Sequence, residues 1–190
     1  MNTRLTEKAA KVMRLIMANE DVAKMEYVLK KDLDPNSLYW DTVFPYGTPL
    51  LHIAASYSFI EGIDLLIKYG ANVNSVIDGN ISAIQYAEHP EAIKTLVLYG
   101  ADIDLKDDDG NTALRNAVLE GINFECIEAL ILLGADVGEI EDLIESENFR
   151  GTEINKVIKT AQENAKQSQT DLVTSVSSSD SKIFSRIRRK

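Results

Sequence analysis

The amino-acid sequence predicts an all-α protein: a helical-repeat solenoid with helical end caps and a disordered C-terminal tail. Three observations carry this. Related stretches recur, with Ala54, Ala87 and Ala117 spaced 33 and 30 positions apart and Gly70, Gly100 and Gly134 spaced 30 and 34 apart. Each stretch reads as a turn, a helix start and two short apolar helical runs before its glycine. No run is long enough to bury a full face alone, so each unit needs a neighbour.

Composition permits such a fold. Of 190 residues 45% are hydrophobic, enough for a core, and 10 glycines with 4 prolines argue against a mostly disordered chain. Cys126 is the one cysteine, so no internal disulfide forms. No apolar run approaches a membrane span, and MNTRLTEKAAKVMRL lacks the apolar core of a secretory signal. A cytoplasmic, monomeric protein is expected. The net charge of -10 is unevenly placed. From Gln167 onward five basic residues face two acidic ones, which makes the tail +3 and the remainder -13. Such a body repels phosphates, which excludes nucleic-acid binding through it.

In chain order, Thr6 can cap a helix running through Ala18, with Ala9, Val12, Met13, Ile16 and Met17 on one side. A second helix over about Val22 to Lys31 turns Val22, Met25, Val28 and Leu29 inward and stops before Pro35. Residues 37–46, SLYWDTVFPY, form a loop outside the periodic pattern. Three copies follow at about 47–77, 78–108 and 109–137. Thr112 and Ser82 stand where a hydroxyl caps a first helix. The three glycines suit the left-handed position that ends a second helix. Leu65, Leu66 and Ile67, then Leu96, Val97 and Leu98, then Leu130, Ile131 and Leu132 are expected to fill the second-helix core. The second copy is three residues shorter than the first between its Ala and its Gly, and His89-Pro90 should end its first helix early. Beyond Val137, Ile140, Leu143 and Ile144, then Ile154, Val157, Ile158 and Ala161, form apolar faces of a helical cap over about 138–166. The Ser-rich residues 167–190 are expected to be disordered.

A period near 33 residues built on GTPLLHIAA, SAIQYA and NTALRNA, with YGANVN, YGADID and LGADVG as stops, resembles the ankyrin repeat. The resemblance reaches back to Leu5 if residues 1–37 are a degenerate first pair, whose DLDPN matches GANVN. It implies a non-catalytic protein-binding module that needs no cofactor or metal. It implies a binding surface on the inter-repeat fingers and on the concave side of the first helices. Tyr39, Trp40, Phe44 and Tyr46 then lie in the first finger, as anchors or as packing that seals the end repeat. Ser56, Tyr57, Glu88, Leu119 and Glu120 fall on the concave side. Asp104, Asp107 and Asp108 make an acidic finger suited to a basic protein partner.

Other chemistry finds little support. His52 occupies the TPLH position, where the family uses His to bond nearby backbone. Cys126 falls on the apolar side of a helix and reads as an inert buried thiol. DIDLKDDDGNT fails as a calcium loop: with Gly110 at position 6, Leu105 sits at position 1 and Asn116 at position 12. No phosphate-cradling, dinucleotide or nucleophile-elbow motif occurs. KIFSRIRRK closes the chain with Ile183, Phe184, Arg186, Arg188, Arg189 and Lys190. That ending resembles the basic C-terminal signals of bacterial type IV secretion substrates, so the alternative to a plain interaction module is an effector delivered into a host cell.

Overall fold

The computed structural model describes residues 7–31, 33–40, 47–121, 124–145, 153, 155–164 and 166–167, with side chains from Val12 onward. It is an all-α repeat solenoid carrying one small sheet. Helices α1 (Glu7–Ala18) and α2 (Val22–Lys30) lead into β1 (Leu38–Tyr39) and β2 (Thr48–Pro49), which pair antiparallel with Tyr39 opposite Thr48. Then come α3 (Leu50–Ser56), α4 (Ile60–Lys68), α5 (Pro90–Leu98), α6 (Ala113–Glu120) and α7 (Phe124–Leu132). A 3₁₀ turn (Val137–Ile140), α8 (Glu141–Glu145) and helical residues 155–164 close it. The second helices α2, α4, α5 and α7 pack one on the next in an unbroken row, while α3 packs on α4 and α6 on α7 within their own repeats.

The stops behave as their glycines require. Gly70, Gly100 and Gly134 have φ of +99°, +86° and +99°, a conformation that strains any side-chain-bearing residue. At each, the following alanine N–H reaches back to a carbonyl in the last helical turn: Ala71 to Leu66, Ala101 to Leu96 and Ala135 to Leu130, at 2.9 to 3.0 Å. The first pair ends similarly, Leu33 N–H donating to Val28 at 3.3 Å. Two residues past each stop, an Asp or Asn carboxyl or amide oxygen accepts from a backbone N–H two positions on. Asp34, Asn72, Asp102 and Asp136 all do this, at 2.9 to 3.1 Å. The shared turn ties residues 33–36 to the repeat pattern that DLDPN suggested.

Two ladders join successive units. In the first, Asn36 donates to Gly70 O and accepts from Asn72 N–H, and Asn74 does the same with Gly100 and Asp102. At the third junction the residue is Asp104, which accepts from Asp136 N–H at 2.9 Å but has no amide to donate. In the second ladder, the position two before the aligned alanine reaches a backbone carbonyl of the next unit. His52 Nε2 bonds Ile81 O at 3.1 Å, Gln85 Nε2 bonds Asn111 O at 3.1 Å, and Arg115 bonds Glu139 O at 2.6 Å. A carbonyl only accepts, so His52 carries its proton on Nε2.

The core is largely the one expected, with corrections at its edges. Met13, Ile16, Met17, Met25, Leu29, Leu66, Leu96, Leu130 and Ile131 are buried, as are Ile140, Ile158 and Ala161. Val12 and Val22 are exposed, however, with no described helix packed over them. Leu98 and Leu132 are also outside, Leu98 at 83% exposure. Each is the last residue of its helix, one step past the stripe that faces the stack. Thr6 and Ile154 lie outside the described residues.

The second repeat departs most. Thr112 caps α6, accepting from Arg115 N–H at 3.2 Å. Ser82 caps nothing: its hydroxyl and N–H both donate to Gln85 Oε1. Between them and Pro90 there is no α-helix, only successive i to i+3 bonds from Gln85, Tyr86 and Ala87. His89 is extended ahead of Pro90, which opens α5. The first helix of this copy therefore does not merely end early; it is reduced to a turn.

Candidate functional site

The aromatic finger divides on inspection. Tyr39 is 1% exposed, because β1 turns it into the core, so its place among the anchors is corrected: it seals the end repeat. Trp40 is half-buried, and its ring lies over Gly47, where an added Cβ would come within 2.5 Å of it. Gly47 also has φ of +74°, so the finger base needs glycine on two counts. Phe44 and Tyr46 lie outside the described residues, as do Ile183, Phe184, Arg186, Arg188, Arg189 and Lys190 of the tail.

The acidic finger also divides. Asp107 is a brace. Its Oδ1 accepts from Asp109 and Asn111 N–H, and its Oδ2 from the Asn116 and Gln85 side-chain amides. A carboxylate with four protein donors has little left for a partner, so its reading as a free fingertip charge is corrected. Asp104 holds the junction to Asp136. Asp108 remains exposed, anchored through its own N–H to Gly79 O of the neighbouring finger at 2.8 Å. Among the described residues no group of three or more His, Cys, Asp or Glu is placed to hold a metal ion.

On the side of the first helices, Tyr57, Glu88 and Glu120 are all exposed. Each falls just past its aligned alanine, at the end of α3, of the turn, or of α6. Ser56 is half-buried, and Leu119 is exposed. Glu120 and Cys126 line one cleft beside the shortened second copy, and Glu88 adjoins it through its backbone carbonyl. The thiol is buried, and its S–H donates to Glu88 O at 3.4 Å. Burial first, then the charges of Glu125 and Glu88, push this thiol up, away from the thiolate a nucleophile needs.

Three contributors were not singled out from the sequence. Arg115 grips Asp142 with two nitrogens, at 2.6 and 2.8 Å, besides its bond to Glu139 O, and holds the Asp142 carboxyl below its usual range. Lys106 pairs with Glu139 at 2.9 Å alongside. Tyr86 stands edge-on to His52, ring centres 5.6 Å apart. His52 itself is fully buried, and burial, only partly offset by the Ile81 bond, pulls its pKa from 6.5 to about 4. These residues carry their meaning in pairs across repeats, and no single copy displays it.

Comparison with known proteins agrees with this geometry. A family model described as "Ankyrin repeats (many copies)" matches residues 81–131, and one described as "Ankyrin repeat" matches residues 46–75. The chain is 30% identical over 118 residues to the fowlpox virus ankyrin repeat protein FPV031, which covers 60% of this chain and 33% of that protein. It is 27% identical over 108 residues to protein phosphatase 1 regulatory subunit 27 of Mus musculus, covering 52% of this chain and 70% of that one. The chain thus spans a third of the viral relative and about seven tenths of the phosphatase subunit. No helix among the described residues is long and apolar enough to cross a membrane.

Proposed function

Because this chain belongs to the ankyrin repeat family, we propose that it is a non-catalytic module that grips a protein partner on the side of its first helices and at its fingers. The observation that carries this is the division of labour among polar groups. Asn36, Asn74, Asp104, Asp107, Gln85 and Arg115 are engaged in joining repeats. Tyr57, Glu88 and Glu120 stand exposed just past the aligned alanines of three successive repeats, and Asp108 is exposed at a fingertip. A relative named as a regulatory subunit of a phosphatase supports a role exercised through a partner. The acidic balance of the body favours a basic partner, steered by charge and then selected by fit.

The test is affinity purification of partners with the intact chain and with the combined variant Tyr57→Ala, Glu88→Gln and Glu120→Gln. All three positions are exposed, so the fold should survive, which circular dichroism checks. Loss of a partner from the variant is expected. Full retention of every captured protein sinks the surface.

A further inference from the structure

Replacing the second repeat's first helix by a turn leaves a gap. Between that turn and α6 lies a cleft of about 200 Å³. Its floor is apolar, formed by Ile84, Ala117, Cys126 and Leu130, and Tyr86 and Glu120 also line it. Sites for whole small molecules run to roughly 300–1,000 Å³. This one is sized for a single long side chain. Its charge is one-sided. Both hydrogens of the Gln85 amide are engaged, by Asp107 and the Asn111 carbonyl, and the Asn116 amide gives one of its two to Asp107. The Glu120 carboxylate remains as an acceptor, and Glu88 is exposed next to the buried thiol. No basic residue lines the cleft.

We propose that the cleft receives one arginine side chain of the protein partner, its methylene stem on the apolar floor and its guanidinium toward Glu120. Arginine is cationic and donor-only, so it complements a cleft whose one charged lining residue is Glu120. Its stem is apolar and its head is weakly hydrated, planar and able to lie against an aromatic ring such as Tyr86. Neither a carboxylate nor a neutral polar side chain satisfies both halves. The inference rests on the interaction reading above and sharpens it to one recognised residue type.

The experiment uses the ¹⁵N-labelled full chain and nine-residue Gly/Ser peptides with a central arginine, citrulline or norleucine. The arginine peptide is expected to shift the amides of Tyr86, Ala87, Ala117, Glu120 and Cys126, and to bind more tightly than the citrulline peptide. Glu120→Gln should weaken it about twofold to fivefold, as loss of a partly exposed charge pair does. Added salt should weaken it as well. Ala117→Leu should fill the cleft and remove binding; should that variant not fold, the three peptides on the unaltered chain still decide. Equal shifts from citrulline or norleucine, or shifts confined to the fingers, overturn the assignment. A purified partner lost from the Tyr57/Glu88/Glu120 variant but insensitive to a folded Ala117→Leu overturns the cleft and leaves the interaction module standing. Failure to purify any partner counts against the module, whatever the peptides show.

Discussion

The second and third repeats share an Asp-Gly-Asn opening, an aligned alanine and a Gly-Ala-Asp stop, yet only the third builds both helices. In the third, Thr112 caps α6 and Gly121, at φ of +63°, ends it. In the second, five residues separate Ser82 from Glu88, and Pro90 then has to open α5. That is too short for a helix and a reversal together, so Ser82–Ala87 closes as a turn held by the Gln85 side chain. The stacking of second helices continues undisturbed, because α5 packs on both α4 and α7. Scaffold and surface thus separate. A repeat can lose half its body if its stacking helix and its two ladder residues remain, and what it loses becomes a recess.

This contrast is breakable at graded strengths. Leu114 in α6 and Ile84 in the turn hold aligned, buried positions. Leu114→Ala should cost about 3–5 kcal/mol, and Ile84→Ala about 2–3 kcal/mol, because the cleft beside Ile84 lets its surroundings relax. Urea denaturation measures both, and equal costs would mean that the turn is as tightly packed as the helix.

The ladder position comes next, since only the first junction uses a titrating side chain. Above pH 6.5 His52 is neutral folded or unfolded, and its junction contributes fully. Below that the unfolded chain binds a proton that the buried ring refuses down to about pH 4. Stability should therefore fall as pH drops through that window, by at most about 3 kcal/mol. His52→Gln, which imitates the second junction, should flatten this part of the pH profile in denaturation midpoints taken from pH 7.5 to 4. An unchanged slope would assign the acid sensitivity elsewhere.

Capping gives a smaller effect. Thr112→Ala should cost about 1 kcal/mol. Ser82→Ala should cost a few tenths, because Gln85 keeps its bond to the Ser82 backbone N–H. Thermal melts of the two variants, compared directly, would contradict the structure if Ser82 proved the more costly. The smallest change runs the other way. Asp104→Asn should restore the second bond of its ladder, to Gly134 O, and stabilise the third junction by about 0.5–1 kcal/mol. No gain in melting temperature would mean that the carboxylate already holds the junction as well as an amide does.

Much of this was legible in the residues. The glycine stops, the Thr112 cap and the buried Cys126 follow from chemistry local to a single copy, and the period from laying the copies side by side. The binding surface was legible only in part. Tyr39 looks like an interface anchor in sequence because aromatic residues suit partners and cores equally; a two-residue strand turned it inward. Asp107 looks like a free charge, but the donors that occupy it come from 22 residues before and 9 after. The interrepeat roles of Asn36, Asn74 and Asp104 were hidden for the same reason, since their partners sit 26 to 36 positions away.

By itself the sequence determined that this chain repeats, where each repeat stops and that its second copy is short. Those are matters of backbone preference and apolar spacing, which are local. Tertiary structure alone decided which polar side chains are joints, which remain exposed, and that the short copy leaves a cleft floored by Ala117, Cys126 and Leu130. Burial and hydrogen-bond partnership depend on what the neighbouring repeat brings, and stacking is what brings it.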